Sequence, residues 1–259
     1  MKSIEASIEN NVATLKLNRP EVFNSFNREM ALLLQKELDA AESNSQVRAI
    51  VITGNGKAFC AGQDLKEVTT PELNPGFKKI LDEHYNPIIA RIRSIEKPII
   101  AAVNGVAAGA GANIALACDV VIASEYASFI QAFSKIGLIP DSGGTFFLPR
   151  LIGFQKASAL MMLGDKVSAS DAEKLGMVYK VISSEEFENE FQKIAATLSK
   201  MPTKALGMTK RLLNQSMVSN LDEQLDLEGK LQIEAAQSDD YAEGVTAFVE
   251  KRTPNFKGK

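Results

Sequence analysis

The sequence predicts an α/β fold that ends in a helical region, and three observations support this. Short, apolar, β-branched segments alternate with segments of helical periodicity through residues 1–200. From residue 203 to Arg252 the apolar positions recur at helical spacing only. No Ser- or Gly-rich linker and no internal repeat separates these parts. We therefore expect an α/β core of residues 1–200 and a C-terminal helical region of residues 201–259.

The first elements are a hairpin and a helix. Residues 4–8 and 12–17 alternate apolar and polar side chains around Asn10 and Asn11, which is typical of a β-hairpin. Asn27 is positioned to cap a helix whose apolar residues repeat at helical spacing. These residues are Met30, Leu34, Leu38 and Ala41.

Three apolar segments predict the strands of the core. They are residues 47–53 (VRAIVIT), 97–103 (KPIIAAV) and 119–123 (DVVIA). Each of the first two is closed by a glycine-containing turn, and helical stretches lie between the strands. The order β, α, β, α, β favours a parallel sheet with crossover helices.

The last third of the chain contains a different series of signals. Residues 170–173 (SDAE) form a capping-box pattern, and Gly176 stands where that helix should end. Residues 177–182 predict a short strand. Another helix opens at residues 183–186 and ends before Pro202. A helical tail of this kind often packs against a neighbouring chain, so we expect a homo-oligomer.

Composition excludes several classes of function. With 29 Lys and Arg against 32 Asp and Glu, the formal net charge is −3, which gives no basis for nucleic-acid binding. One histidine, His84, and two cysteines leave little material for a zinc site or a disulfide scaffold. We therefore expect no metal site, and chemistry that depends on carboxylates and backbone groups.

The sequence predicts neither a membrane span nor an export signal. Its first eleven residues, MKSIEASIENN, carry two glutamates and no apolar run, unlike a signal peptide. Residues 98–118 are uncharged and long enough to span a bilayer, but glycines and asparagines interrupt them. We interpret them as a buried strand, turn and helix, and expect a soluble cytoplasmic protein without membrane partners. Two unpaired thiols fit a reducing compartment.

Two glycine turns are candidate functional loops. Residues 104–113 (NGVAAGAGAN) match neither a P-loop nor a dinucleotide-binding turn, since Ile114 occupies the third glycine position of the latter. Either the small residues allow close approach to amides at a helix N-terminus, or they only let the helix pack tightly. Residues 54–66 form a similar turn. Two amides that converge on one carbonyl oxygen would make an oxyanion hole. Each donor of this kind raises the reaction rate about a hundredfold or more.

Six ordered motifs together are similar to those of the enoyl-CoA hydratase/isomerase (crotonase) family. They are residues 18–20 (NRP), 59–65 (FCAGQDL), 97–105 (KPIIAAVNG), 117–119 (ACD), 137–145 (GLIPDSGGT) and 247–252 (AFVEKR). The resemblance covers essentially the whole chain. It implies a crotonase (ClpP-like) spiral of ββα units with a C-terminal helical trimerisation region, assembled as a homotrimer or a dimer of trimers.

The resemblance also implies an acyl-CoA substrate and the residues that bind it. The backbone N–H groups of Gln63 and Ala110 match the two oxyanion donors of the family. The matching CoA-binding positions are Ala61, Gln63, Asp64, Leu65, Lys66, Phe248 and Lys251, the last two contributed by the same or a neighbouring subunit. CoA is then part of the substrate, and no separate cofactor is expected.

Departures from the family pattern change the expected chemistry. Hydratases of the family carry two glutamates that activate water, and the matching residues here are Asn113 and Phe133. Neither side chain can act as a general base, so we expect both to shape the acyl pocket instead. Asp141 stands where hydratases usually have glycine. Partial desolvation beside Phe133 and Ala110 would raise its pKa into a useful range for catalysis. The alternative is a turn aspartate that caps the following helix.

The resemblance with these departures implies an isomerase of CoA thioesters in which Asp141 is the acid and base. It would convert ring-1,2-epoxyphenylacetyl-CoA to oxepin-CoA, shift 3-enoyl-CoA to 2-enoyl-CoA, or do both. Two alternatives stay open. One is an enoyl-CoA hydratase that uses another acid, and the other is a non-catalytic CoA-binding subunit that stabilises a hydratase partner.

Other reactive side chains receive lesser roles. His84 is expected on a surface helix, from which Glu83 and Tyr85 would reach the acyl pocket only if that helix forms a lid. Cys60 and Cys118 are flanked by apolar residues and are expected to be small buried hydrophobic side chains rather than nucleophiles.

Overall fold

The computed structural model describes residues 2–259, and its largest sheet starts with the predicted hairpin. Strand β1 (Ile4–Glu9) pairs antiparallel with β2 (Val12–Leu17). Asn10 and Asn11 between them have φ of 49° and 64°. Asparagine tolerates this left-handed conformation, which a two-residue turn needs to match the twist of its strands. The hairpin prediction is confirmed.

The remaining strands and helices alternate through the chain. The strands are β3 (Ala49–Gly54), β4 (Ala58–Cys60), β5 (Ile99–Val103), β6 (Val106–Ala108), β7 (Val120–Ser124), β8 (Ser128–Ile130), β9 (Lys166–Ser168) and β10 (Lys180–Ile182). The helices are α1 (Arg28–Ser43), α2 (Leu65–Thr69), α3 (Phe77–Lys79), α4 (Asn86–Ser94), α5 (Ala110–Leu116), α6 (Gly144–Ile152), α7 (Phe154–Leu163), α8 (Ala169–Leu175), α9 (Phe187–Lys200), α10 (Thr203–Ser216), α11 (Leu221–Ala235) and α12 (Asp239–Glu250). A π-helical segment (Ile80–Tyr85) joins α3 to α4, and 3-10 turns occur at Pro20–Val22 and Ala132–Ile136.

These strands form two sheets. The six-stranded sheet has the order β1-β2-β3-β5-β7-β10, parallel from β2 to β10. The four-stranded sheet has the order β4-β6-β8-β9, in which β4, β6 and β8 are parallel. Strands β3, β5 and β7 of the first sheet are each followed by a short strand of the second, and the pairs β3–β4, β5–β6 and β7–β8 repeat as ββα units.

Both faces of the large sheet are buried. Ile50 and Ile52 of β3 pack into the main core with Leu34 and Leu38 of α1. The alternate side chains, such as Val51, pack against α9. The three predicted core strands and the helix capped by Asn27, whose side chain accepts from Met30 N, are confirmed.

One local expectation is wrong, and three short strands have no signal in the sequence. Helix α8 is capped by Ser168, whose Oγ accepts from Asp171 N at 3.1 Å, and not by Ser170. The cap therefore lies two residues earlier than the sequence pattern indicated, although Gly176 ends the helix in the left-handed conformation as predicted. No sequence pattern indicates strands β4, β6 and β8, since segments of three residues are too short to show a periodicity.

The C-terminal helices are joined to the core through a buried ion cluster. Lys210 of α10 pairs with Asp119 at 2.8 Å, and Arg93 of α4 pairs with the same carboxylate at 3.0 Å. Asp119 also accepts a hydrogen bond from Ile99 N at 2.8 Å. Within residues 2–259, no helix is long and apolar enough to cross a membrane.

Replacing Asp119 with alanine should destabilise the protein strongly. Arg93 and Lys210 would remain without their carboxylate in a largely buried position, at a cost of about 3–5 kcal/mol. Chemical denaturation measures the free energy of unfolding. The matched control is Asp39→Ala, which breaks an exposed pair with Arg91 and should cost less than about 1 kcal/mol. Equal losses in the two variants would contradict a structural role for the cluster.

Candidate functional site

A cavity of about 670 Å³ opens between the π-helical segment, α2 and the loops that follow β4, β6 and β8. Its wall is mainly apolar, with Val68, Ile80, Phe133 and Leu138 among the contributing side chains. Of the described residues that line it, Asp141 carries the only carboxylate. An apolar cavity with few polar groups is the usual form of a small-molecule site.

The Gln63 amide faces this cavity because of a backbone bridge to Phe26. Phe26 N donates to the carbonyl oxygen of Gly62 at 2.7 Å, and Asp64 N donates to the carbonyl oxygen of Phe26 at 2.8 Å. Successive amides of an extended chain point in opposite directions, so the intervening Gln63 N–H points away from Phe26. It has no hydrogen-bond partner within residues 2–259.

The Ala110 amide, on the same cavity wall, likewise has no hydrogen-bond partner among residues 2–259. Ala110 is the first residue of α5, where backbone N–H groups have no partner inside the helix. Gly109 before it adopts φ 52° and ψ −127°, a conformation that favours glycine. A Cβ placed on Gly62 would lie only 3.7 Å from Ala110 N, so the two amide-bearing loops are adjacent. The pair can receive one oxygen atom that develops negative charge.

Asp141 lies in the turn that precedes α6. Burial raises the pKa of its carboxyl to about 6, although Ser142 Oγ donates to Oδ1 at 2.9 Å and opposes the shift. Helix α6 is preceded by Gly143, and no side chain among residues 2–259 caps it. The alternative role of Asp141 as a helix cap is therefore wrong. The carboxyl can exchange protons near neutral pH.

Asn113 does not line the cavity, contrary to the prediction, whereas Phe133 does. The Asn113 side chain is fully buried, donates from Nδ2 to the carbonyl oxygen of Asp141 at 2.9 Å and accepts from Gln131 Nε2 at 2.7 Å. Its amide lies against Gly144, where a Cβ would come within 2.4 Å of Nδ2. The side chain therefore supports the turn that holds Asp141.

The predicted CoA-binding residues are divided between the cavity and its surroundings. Ala61, Gln63 and Leu65 line it. Asp64 and Lys66 do not, because the Asp64 carboxylate caps α2 through Lys66 N and pairs with an arginine, Arg19, at 2.8 Å. Phe248 and Lys251 also lie outside the cavity of their own chain, exposed at the end of α12. Contacts of these residues with CoA remain a prediction.

The His84 side chain is buried rather than exposed on a surface helix, which corrects the prediction. His84 and Tyr85 are each 1% exposed, and burial lowers the pKa of His84. His84 Nε2 lies 3.1 Å from Arg28 Nη1, behind the cavity, and Glu83 pairs with the same arginine at the surface. Tyr85 lines the cavity and donates from its hydroxyl to Gln63 Oε1 at 2.7 Å. No periodicity in the sequence indicates the π-helical turn that directs both rings inward.

The cysteines are buried as predicted. Burial raises the pKa of both Cys60 and Cys118 to about 12, so neither thiol is a nucleophile near neutral pH. In the part of the chain described, residues 2–259, no group of three or more His, Cys, Asp and Glu side chains is arranged to hold a metal ion.

Comparison with known proteins identifies the relatives of this chain. The profile of the enoyl-CoA hydratase/isomerase family matches residues 7–259. An Escherichia coli protein named 1,2-epoxyphenylacetyl-CoA isomerase is 45% identical, with 100% of each chain covered. A Rhodobacter capsulatus protein named "Probable enoyl-CoA hydratase" is 42% identical, with 99% of this chain and 98% of the relative covered.

Solved structures agree with this match. Enoyl-CoA hydratase subunit I from Geobacillus kaustophilus superimposes with a TM-score of 0.92 at 35% identity, covering 99% of this chain and 98% of that chain. The two sheets, the ββα repeat and the helical C-terminal region are thus the crotonase fold that the motifs predicted. The chain belongs to the enoyl-CoA hydratase/isomerase family.

Proposed function

We propose that the protein is an isomerase of CoA thioesters, with Asp141 as the acid and base. The observation that carries this proposal is one carboxyl of raised pKa on the wall of an apolar cavity that also holds two free amides. Isomerisation needs one such group, because the carboxyl that removes the proton also returns it.

In the proposed mechanism the thioester oxygen accepts hydrogen bonds from the N–H groups of Gln63 and Ala110. Ionised Asp141 takes a proton from the α carbon of a 3-enoyl group, and the electron pair moves onto the thioester oxygen as an enolate. The two amides stabilise this negative charge, which strengthens as the proton leaves. Protonated Asp141 then returns the proton to the γ carbon, which gives the 2-enoyl product.

The same site suits a ring epoxide. Opening of the three-membered ring to a seven-membered oxepin rearranges bonds without net proton transfer, and Asp141 would assist it. The E. coli relative named 1,2-epoxyphenylacetyl-CoA isomerase supports this substrate class. The wall offers Phe133 and Tyr85 as flat apolar surfaces for an aromatic ring.

Hydration is the second candidate, favoured by the relatives that are named hydratases. Adding water requires groups that hold and activate it, and the two positions that carry glutamates in hydratases hold Asn113 and Phe133 here. Asn113 already uses its amide to bind Gln131 and the Asp141 turn. A non-catalytic CoA-binding subunit is the third candidate and predicts no turnover at all.

Asp141→Asn should lower isomerisation of 3-hexenoyl-CoA by about 10²–10⁴-fold, because it removes the one carboxyl that residues 2–259 place on the cavity wall. Turnover is followed by mass and absorbance, with crotonyl-CoA as a parallel test for water addition, and CoA binding should be retained. Asp165→Asn, at an exposed position, is the matched control and should keep full activity. Unchanged turnover in Asp141→Asn would refute the assigned role. Faster water addition than double-bond migration in the unmodified protein would favour the hydratase.

Asp141 should also make stability depend on pH. Its pKa is about 6 in the folded protein against 3.8 ordinarily, so the folded state binds the proton more tightly between these values. The resulting stabilisation is complete below about pH 4 and is lost as the pH rises through 6. Relative to the unmodified protein, Asp141→Asn should therefore gain roughly 1–3 kcal/mol in free energy of unfolding between pH 4 and pH 7. If the difference in free energy of unfolding between Asp141→Asn and the unmodified protein does not vary with pH, Asp141 is not desolvated.

Asn113→Glu should not create a hydratase, although it restores a glutamate of the hydratase pattern. The carboxylate cannot donate to the carbonyl oxygen of Asp141, and it would be buried beside Gly144 without space to reach the cavity. We expect at least a tenfold loss of isomerisation and no gain of water addition to crotonyl-CoA, measured by mass. Efficient hydration by this variant would contradict the supporting role of Asn113.

A further inference from the structure

The Gln63 side chain is held at both ends of its amide. Its Oε1 accepts from the Tyr85 hydroxyl at 2.7 Å, and its Nε2 donates to Glu67 Oε2 at 2.7 Å. The other oxygen of Glu67 accepts from Arg28 N at 2.8 Å. A chain of hydrogen bonds thus runs from the cavity wall to the first turn of α1.

The members of this chain are buried and packed. Tyr85 is 1% exposed and Glu67 is 8% exposed. The Tyr85 ring meets Phe26 edge to face, with 6.0 Å between ring centroids. Phe26 is also the residue whose backbone bridges Gly62 and Asp64. The residues that fix the backbone of Gln63 and those that fix its side chain are therefore in direct contact.

Helix α1 holds the π-helical segment that carries Tyr85 through side-chain hydrogen bonds. A π-helical turn interrupts the regular hydrogen-bond ladder of a helix and is frequent at functional sites. Here Gln35 of α1, itself buried, donates from Nε2 to the carbonyl oxygens of Glu83 and His84 at 2.7 and 3.2 Å. These bonds satisfy carbonyl groups of the irregular turn and keep Tyr85 directed at Gln63.

We infer that Tyr85 is a positioning residue that acts through Gln63 and, together with the backbone bridge to Phe26, holds the direction of the Gln63 N–H group. The inference rests on the proposed binding of a thioester oxygen to the amides of Gln63 and Ala110. An amide in a loop can rotate away from its acceptor, and a small rotation weakens a hydrogen bond steeply. Burial raises the pKa of Tyr85 well above its ordinary value, so the hydroxyl stays a donor at working pH.

The test is a double-mutant cycle of Tyr85→Phe and Gln63→Ala. Tyr85→Phe keeps the ring and removes one hydrogen bond, so kcat should fall about three- to tenfold with KM within about twofold. Gln63→Ala should cause a similar fall, and the double variant should be no worse than Gln63→Ala alone. The apparent pKa of the rate should not change, because Tyr85 transfers no proton.

If the two losses of kcat multiply in the double variant, the inference is overturned, since Tyr85 would then act on the substrate directly. Unchanged kcat in Tyr85→Phe would overturn it as well. Tyr179→Phe is the control for the substitution itself. Tyr179 is 72% exposed, and this variant should behave like the unmodified protein.

A spectroscopic measurement separates this inference from the proposed reaction. Bound 4-(dimethylamino)cinnamoyl-CoA absorbs at longer wavelength as its thioester carbonyl is polarised, so the shift reports the two amides without turnover. The red shift should be smaller in Tyr85→Phe than in the unmodified protein, and Asp141→Asn should retain it. A full red shift in Tyr85→Phe, or no red shift in the unmodified protein, would refute the inference even if Asp141 is the acid and base.

Discussion

The parallel pairing of three short strands determines the positions of the functional groups on the cavity wall. Strands β4, β6 and β8 have only three residues each. Because they are parallel, the loops that follow them begin at the same end of the second sheet. Close backbone approach makes the pairing possible. A Cβ at Gly54 would lie 2.2 Å from the carbonyl oxygen of Ala58, and one at Gly105 would lie 2.1 Å from that of Lys57. Larger residues at these two positions would separate the strands and, with them, the amides of Gln63 and Ala110.

The strands of the large sheet could be predicted from the sequence, but the elements between them could not. The hairpin, the capped helix α1 and strands β3, β5 and β7 follow from periodicity and capping, which are local properties. The short strands and the π-helical turn depend on contacts between distant segments, and no local pattern encodes them. Asp141 stands out from the sequence as a departure from the hydratase pattern, whereas only the folded structure shows that the Asn113 side chain turns away from the cavity to bind the Asp141 turn.

A recurring motif is not evidence that its residues touch the substrate. The ACD motif at residues 117–119 contains a carboxylate that binds Arg93 and Lys210 and joins the C-terminal helices to the core. Asp64, inside the FCAGQDL motif, caps α2 and pairs with Arg19. Residues of such motifs identify the family. Only their contacts in the fold show whether a given residue supports the structure or takes part in the chemistry.

The burial of Cys60 provides a built-in probe of motion at the oxyanion loops. Its sulfur atom lies in β4, directly before the Gln63 loop, and Gly111 of α5 packs against it so closely that a Cβ there would come within 2.7 Å of Sγ. A thiol reagent can reach this atom only when β4 separates from α5. The rate of alkylation at Cys60, distinguished from Cys118 by peptide mass, therefore reports opening between β4 and α5 on the timescale of seconds to hours.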